Sequence, residues 1–483
     1  MMDIPADPPG EASPFVLQPR LRLLIPLVVA FAFFLEQLDS TIITTAIPDI
    51  AAGLHETPLR LNLALTSYIL CLAVFIPVSG WVADRFGMRR TFVAAIAIFT
   101  LGSMTCGAAV DLPTLVFSRI VQGFGGAMLT PVGRLILLRS FPRSELVSAM
   151  TYVVIPAVLG PVIGPLAGGI ITTYASWRWI FYVNIPFGVA GMVLAWRFVP
   201  DIGRVPGQRF DWLGFLISGL CLALLEFGIE NLGRNLLPGP VIALSFAAGA
   251  TLGIGYVLYA RRHANAVLDL SLLHVRTFRI TLASGSLSRI GLSSVAFLLP
   301  LMLQIGFGLS PLQSGSITFV TAVSTAVIRP ASVRLLRWFG YAQLLRVNTL
   351  LSAGALAAFA LVDARTSHVL LIGLTLVFGM IRSIQFNVLQ TLTYADISPA
   401  VISRATSLGS VVQQLSMGFG ISLSATLLGL LTGSGTTVSV ADFHMAFLAV
   451  AVISLLGMPG FLRLTIADGT LVSGYRTRAP RTG

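Results

Sequence analysis

Apolar residues run along this chain in long blocks separated by short polar punctuation. A helix needs about 20 mostly apolar residues to cross a bilayer. Blocks of that kind fall at residues 22–47, 61–82, 91–110, 113–137, 146–172, 178–199, 212–231, 239–260, 280–306, 312–333, 343–362, 368–392, 404–431 and 443–466. The pattern predicts an all-α membrane protein with 14 transmembrane helices. It lacks the residue-by-residue polar alternation of a porin strand. Residues 1–19 are polar and proline-rich, with no short apolar core before a cleavage site, so the first block is expected to be retained as a span.

Composition agrees with the pattern. Hydrophobic residues make up 55% of the 483 and charged residues only 10%, against about 25% charged in a soluble domain. That excludes a soluble enzyme and a disordered chain. All 31 basic residues are arginine, and with 19 acids they give a formal charge of +12. A basic excess points to nucleic acid when it clusters on a polar face. Here the arginines are scattered between apolar blocks, so the expected partners are a lipid bilayer, protons and a small-molecule substrate, with no nucleic acid. If the N-terminus is cytoplasmic, the alternation of spans puts 23 arginines on the cytoplasmic side, 4 on the opposite side and 4 within spans. Cytoplasmic loops collect arginine, so both termini are expected in the cytoplasm of a bacterial inner membrane. Cys71, Cys106 and Cys221 lie within apolar blocks and have no metal or disulfide spacing.

The chain matches itself at an offset of 253 residues. Pro58-Leu59 falls on Pro311-Leu312, Ala73-Val74 on Ala326-Val327, Pro77 on Pro330, and Phe86-Gly87 on Phe339-Gly340. This makes segments 1–6 and 9–14 equivalent six-helix halves, with segments 7 and 8 left between them. The expected organisation is a tail over 1–20, a six-helix bundle over 21–200, a linker with two additional transmembrane helices over 201–276, a second six-helix bundle over 277–466, and a tail over 467–483. Two parallel repeats of six helices are the major facilitator plan.

Four stretches carry candidate chemistry. After segment 2 stands Gly80-Trp-Val-Ala-Asp84-Arg85-Phe-Gly87-Met-Arg89-Arg90. Gly80 is expected to permit close helix approach and Gly87 a tight turn. Asp84 and the arginines are expected to form a charge latch that also caps a neighbouring helix. In the second half Arg337 stands where Asp84 does, so the latch is one-sided. Segment 4 carries Arg119-Ile-Val-Gln122-Gly123-Phe-Gly125-Gly126. An arginine within a bilayer costs at least about 2.5 kcal/mol, so Arg119 needs a carboxylate, a carbonyl or a water cavity. Segment 5 carries Gly160-Pro161, Gly164-Pro165 and Gly168-Gly169, with glycines at i, i+4 and i+8 on one helix face. Segment 1 carries Leu38-Asp39-Ser40-Thr41 and Thr44-Thr45-Ala46.

These stretches resemble the signatures of the fourteen-span drug:proton antiporter family of the major facilitator superfamily (the EmrB/QacA type), and most of all its MdtD- and HsrA-like exporters. The likeness extends to Phe210-Asp211, Leu301-Met-Leu-Gln304-Ile-Gly306 and Gln413-Gln414-Leu415-Ser416. It implies a major facilitator fold whose segment 5 glycine pattern marks an antiporter. Glu36 departs from it, since those relatives carry an uncharged residue there.

Glu36 and Asp39 are the acids well inside the main bundle, and at i and i+3 they share a helix face. With Arg119 they are the candidate proton-coupling residues. Glu226 and Glu230, near the outer end of segment 7, are expected to be solvated at the interface. In the second half Arg289 matches Glu36 at the offset, and a Glu36–Arg289 interaction is expected. Arg289, Arg329, Arg382, Gln385, Asn387, Gln390, Gln413 and Gln414 are candidate substrate-cavity residues, with helix–helix hydrogen bonding equally open for the amides. Four intramembrane arginines against two acids lean toward anionic or zwitterionic cargo.

The expected function is proton-coupled export of small molecules by alternating access, of the multidrug efflux type. It needs no cofactor because the proton gradient drives it, and no nucleotide-binding loop is present. An exporter dedicated to one metabolite, such as an organic acid or a siderophore, is an alternative; a non-transporting membrane sensor is another. An enzyme is not expected, because the spans lack a convergent catalytic set. The chain is expected to act as a monomer or with a periplasmic adaptor.

Overall fold

The structure, a computed structural model, describes residues 19–141, 159–160, 163–200, 210–231, 238–263, 266–398, 401–432, 438–465 and 468. All regular elements among them are helical. The long ones are α1 (Pro19–Ile42), α2 (Asn62–Phe86), α3 (Met88–Gly107), α4 (Leu112–Ser140), α5 (163–174), α6 (Asn184–Phe198), α7 (Trp212–Asn231), α8 (Gly239–Arg262), α9 (Arg276–Leu301), α10 (Pro311–Ala358), α11 (His368–Ala395), α12 (Ile402–Thr432) and α13 (Val440–Leu455).

Twelve helical stretches among the described residues are long and apolar enough to span a membrane. That is two short of the sequence expectation. Segment 146–172 falls largely on residues 142–158 and 161–162, outside the described set. Segment 312–333 is helical, as the first arm of α10, but is not among the twelve.

The internal repeat has a backbone counterpart. Gly87 sits between α2 and α3 at φ 92°, and Gly340 breaks α10 at φ 68°. Their spacing equals the 253-residue offset. A left-handed φ strains residues with a Cβ, so glycine punctuates both halves at the same place. The prolines matched by the offset also open helical turns. Pro58 begins a short 3-10 turn, and Pro311 begins α10 behind a Ser310–Gln313 capping box.

The additional pair α7 and α8 packs beside the bundle. Asp211 holds its two ends together, accepting from the Tyr259 hydroxyl (2.6 Å), Gly214 N (2.9 Å) and Val267 N (3.1 Å). Aromatic contacts fix the pair to α2: Trp81 meets Phe210 at 5.4 Å and Phe75 meets Phe215 at 5.6 Å between ring centroids. Glu226 is buried and accepts from Ser422 of α12 at 2.5 Å. This corrects the expectation of interfacial solvation, because α12 covers the helix face that periodicity left open. The side chain of Glu230 lies outside the described residues.

The two ends of the bundle differ. At the end opposite the start of α1, called distal here, one apolar cluster runs through both halves. It joins Ile43, Trp177 and Phe181 to Phe297, Leu303 and Phe359. At the other end the clusters are separate: Phe92 and Leu129 belong to one, Tyr341 and Leu389 to another. Hydrogen bonds between the halves follow suit. Gln304 Nε2 donates to the Thr45 carbonyl (3.0 Å) and Leu312 N to Thr173 Oγ1 (3.1 Å). A Cβ on Gly169 would lie 2.6 Å from the Pro311 carbonyl, and one on Gly315 would collide with the Pro165 carbonyl. The halves therefore meet backbone to backbone at the distal end. A Thr173→Cys/Leu312→Cys pair should form a disulfide, since the two backbones are close enough for its geometry. With a protease site inserted between Asn231 and Pro238, the cut fragments should stay joined on a non-reducing gel. Fragments that separate would contradict the closed distal seam. The native cysteines all precede the cut, so the Leu312→Cys single variant, whose fragments should separate, excludes a link through them.

Candidate functional site

The site begins with a charge that the bilayer forbids unless it is paired. Arg119 on α4 is 1% exposed and Asp39 on α1 is fully buried. Arg119 Nη1 lies 2.6 Å from Asp39 Oδ2, and Nε donates to the Ala64 carbonyl at 3.1 Å. The guanidinium also stands 4.2 Å over the Tyr68 ring. The other Asp39 oxygen, Oδ1, accepts from Gln122 Nε2 (2.8 Å) and from Asn184 Nδ2 (2.9 Å). Both amides also donate to Ser103 Oγ, at 2.5 and 3.0 Å. Five helices thus contribute to one buried network, with a cation and two amides donating to an ionised carboxylate. The sequence pointed to Asp39 and Arg119. It did not single out Ser103 or Asn184 as partners, although each is a polar residue in an apolar block.

Glu36 lies one turn before Asp39 in a different setting. It is 7% exposed and accepts one hydrogen bond, from Thr130 Oγ1 to Oε2 at 2.7 Å. It lines a cavity of about 420 Å³ between the halves. Asp39 is sealed behind this wall and does not line the cavity.

The second half supplies the opposite wall. Arg382, Asn387, Gln413 and Gln414 line the cavity as expected. The Arg382 guanidinium has no hydrogen-bonding partner among the described residues, with Nε buried, and stands 5.4 Å from the Phe386 ring centre. Gln385 does not reach the cavity. It is buried and bonded to Asn348 (2.8 Å), Ser288 (3.0 Å) and Thr349 (3.2 Å), which joins helices within this half. Gln390 is exposed and also off the cavity wall. The side chain of Arg329 lies outside the described residues.

The expected Glu36–Arg289 pair is absent among the described residues. Arg289 is 2% exposed, its Nε and Nη1 have no partner, and it does not line the cavity. Its Nη1 lies 3.5 Å from where a Cβ on Gly285 would stand. Helical side chains lean toward their own N-terminus, and Gly285 one turn earlier leaves Arg289 room to do so. The offset matches backbone positions; it does not fix where a side chain points.

The signature residues position these walls. Gly160, Gly164 and Gly168 on one face of segment 5 press on α1. A Cβ on Gly160 would lie 2.7 Å from Gln37 Cβ, while Gly164 abuts Thr41 and Gly168 abuts Ile42 and Thr45. Pro161 lies outside the described residues, and Pro165 lines the cavity. Gly123 brings α4 against α2, where its Cβ would meet Cys71 Cβ at 2.8 Å. Gly80, by contrast, has no atom of the described residues within 4 Å of where its Cβ would stand, so no close helix approach is seen there. Asp84 pairs with Arg139 at the end of α4 (2.8 Å), outside the motif, and not with a helix N-terminus. Arg89 stands 5.2 Å from the Trp196 ring centre, and Arg85 and Arg90 are exposed.

Removing one partner of a buried ion pair strands the other charge, at a cost of about 3–5 kcal/mol. Asp39→Asn should therefore lower the melting temperature of the purified protein sharply, whereas Glu36→Gln should change it little. Equal small shifts in thermal unfolding would show that Arg119 does not depend on Asp39.

Comparison with known proteins agrees with this architecture. The family model described as Major Facilitator Superfamily matches residues 29–421. The multidrug resistance protein MdtD of Pectobacterium carotovorum subsp. carotovorum is 38% identical over 439 residues, covering 90% of this chain and 94% of that protein. The protein of the same name from Escherichia coli O6:H1 is 35% identical over 450 residues, covering 92% and 94%. Among solved structures, a POT family peptide transporter superposes with a TM-score of 0.70 at 14% identity, covering 93% of this chain and 98% of its own. A D-xylose-proton symporter gives 0.64 at 14% identity, covering 92% and 98%. These two show the fold alone. A cavity between two helical halves, a buried Asp39–Arg119 pair and a family match over most of the length lead to one assignment: the chain belongs to the Major Facilitator Superfamily of membrane transporters.

Proposed function

We propose that this protein is a proton-coupled antiporter that exports small molecules across the bacterial cytoplasmic membrane, of the multidrug efflux type. The observation that carries the reading is the pairing of two carboxylates one turn apart. Glu36 faces a cavity between the halves, and Asp39 is locked to Arg119 behind it. Its relatives of 35–38% identity are named as multidrug resistance proteins. With both termini in the cytoplasm, the orientation that the arginine excess favours, the closed distal seam faces outward and the form described is open toward the cell interior.

In this reading the cycle follows from charge. A carboxylate in an apolar wall is neutral when it carries a proton and costly when it is bare. In the outward-open form Glu36 and Asp39 take protons from outside. Protonated Asp39 loses its charge attraction to Arg119 and frees α1 to move against the glycine face of segment 5. Once the cavity opens inward, Glu36 and Asp39 give their protons to the cytoplasm, cargo takes the proton's place at Glu36, and Asp39 reforms its bond to Arg119. The loaded carrier then returns. The gradient supplies the driving force, so no cofactor is required.

Purified protein in sealed proteoliposomes should accumulate a fluorescent substrate against its gradient when the lumen is acidic, so that protons leave as the substrate enters. Glu36→Gln should lose at least about tenfold of this uphill transport (about 1.4 kcal/mol) while keeping downhill exchange. Uphill transport that persists in the variant at the wild-type rate would remove Glu36 from the coupling. Transport insensitive to the gradient would remove proton coupling altogether.

A further inference from the structure

The charges that face the cavity are fewer than the intramembrane count suggests. Its charged lining residues among those described are Glu36, Arg119 and Arg382. Arg119 is already neutralised by Asp39 at 2.6 Å. Arg289 is buried away from the wall, pointing along its own helix. Among the described residues, what remains is one carboxylate on the first half and one guanidinium on the second; Arg134 of α4 lies near Glu36 without pairing with it, and the side chain of Arg329 lies outside the described residues. No ion pair joins them among the described residues. Thr130 engages Oε2 of Glu36, which leaves Oε1 without a protein donor. The Arg382 guanidinium has the Phe386 ring beside it and no acceptor, with Nε buried. The rest of the described lining is largely apolar, with Leu65, Ile69, Leu292, Val295 and Leu299 beside the rings of Phe378 and Phe386.

A guanidinium without an acceptor in a low-dielectric wall is an unmet demand for an anion. A carboxylate with a free oxygen across the same cavity is an unmet demand for a cation. We propose that the cavity binds zwitterionic amphiphiles, with the ammonium group at Glu36, the acid group at Arg382 and the apolar body against the apolar lining. This deepens the reading of the cavity as the cargo site. It also gives the exchange a physical basis, because a proton and a cargo ammonium are mutually exclusive occupants of Glu36. The net positive count of the sequence pointed to anions as readily as to zwitterions. Among the described lining residues, the geometry leaves one charge of each sign.

The test is equilibrium binding to the full chain in detergent at neutral pH, with no gradient, so that a failure of proton coupling cannot affect it. Norfloxacin is a suitable probe, because it is fluorescent and carries an amine and a carboxylate at opposite ends of a flat ring system. Its ethyl ester keeps only the cation, and its N-acetyl derivative keeps only the anion. Wild-type protein should bind norfloxacin at least about tenfold tighter than either derivative, the effect of losing one charge-assisted hydrogen bond. Glu36→Gln should bind norfloxacin and the N-acetyl derivative equally. Arg382→Gln should bind norfloxacin and the ester equally, and Arg382→Lys should recover part of the preference. Equal binding of all three by the wild type would overturn the proposal, as would a preference that depends on only one end. So would no saturable binding up to millimolar ligand. The wild-type series requires no variant to fold.

Discussion

The rest of the structure depends on the ion pair between Asp39 and Arg119. An arginine on α4 enters an apolar bundle only if something neutralises it. Asp39 does so at 2.6 Å, and Gln122, Asn184 and Ser103 close the network around the carboxylate. Desolvating both ions costs several kcal/mol each. The short distance and the additional donors offset that cost. One consequence is rigidity within the first half, because α1, α2, α3, α4 and α6 all contribute atoms. A second is a division of labour between neighbouring acids. Asp39 is held by its donors, and Glu36 is left to face the cavity.

That arrangement works only if α1 is placed accurately, and glycine does the placing. The face formed by Gly160, Gly164 and Gly168 touches α1 at Gln37, Thr41, Ile42 and Thr45. Any larger side chain there would push into the segment that carries both acids. Gly169, on an adjoining face, meets Pro311 and Leu312 of the other half. Segment 5 therefore touches both the charged helix and the distal seam. A change of spacing at either contact bears on the other, which gives the small residues a mechanical role in alternating access.

Much of this was legible in the sequence because it rests on local rules. The 253-residue offset foresaw that Gly87 and Gly340 occupy equivalent turns, since only glycine takes a left-handed φ without strain. The need of Arg119 for a carboxylate, a carbonyl or a water cavity followed from desolvation, and Glu36 and Asp39 stood out as the deep acids, but that Asp39 is the partner is read from the packing. What escaped depends on side-chain direction and on packing between distant segments. Arg289 matched Glu36 in register, yet its side chain follows its own helix toward Gly285. Gly80 looked like a packing glycine, yet no atom of the described residues comes within 4 Å of its Cβ position. Asp84 found Arg139, 55 residues away. Asn184 closes the Asp39 network from 145 residues away, and no local pattern marks it. Segment 5, expected as a span over 146–172, lies largely outside the described residues.

Within this framework the charge of the protein divides into two parts. Most arginines record orientation, and a few act in the membrane. Of the latter, Arg119 holds Asp39 through the bond whose loss frees α1 in the proposed cycle, while Arg382 and Glu36 line the cavity from opposite halves. Such a carrier exchanges a proton for cargo at one carboxylate. The most direct test is to add a cargo whose own groups do not titrate near neutrality to the detergent-solubilised protein in weak buffer with a pH-sensitive dye. The account predicts that binding releases protons and that Glu36→Gln abolishes the release while cargo still binds. Binding with no proton release, or with release unchanged in the variant, would contradict it.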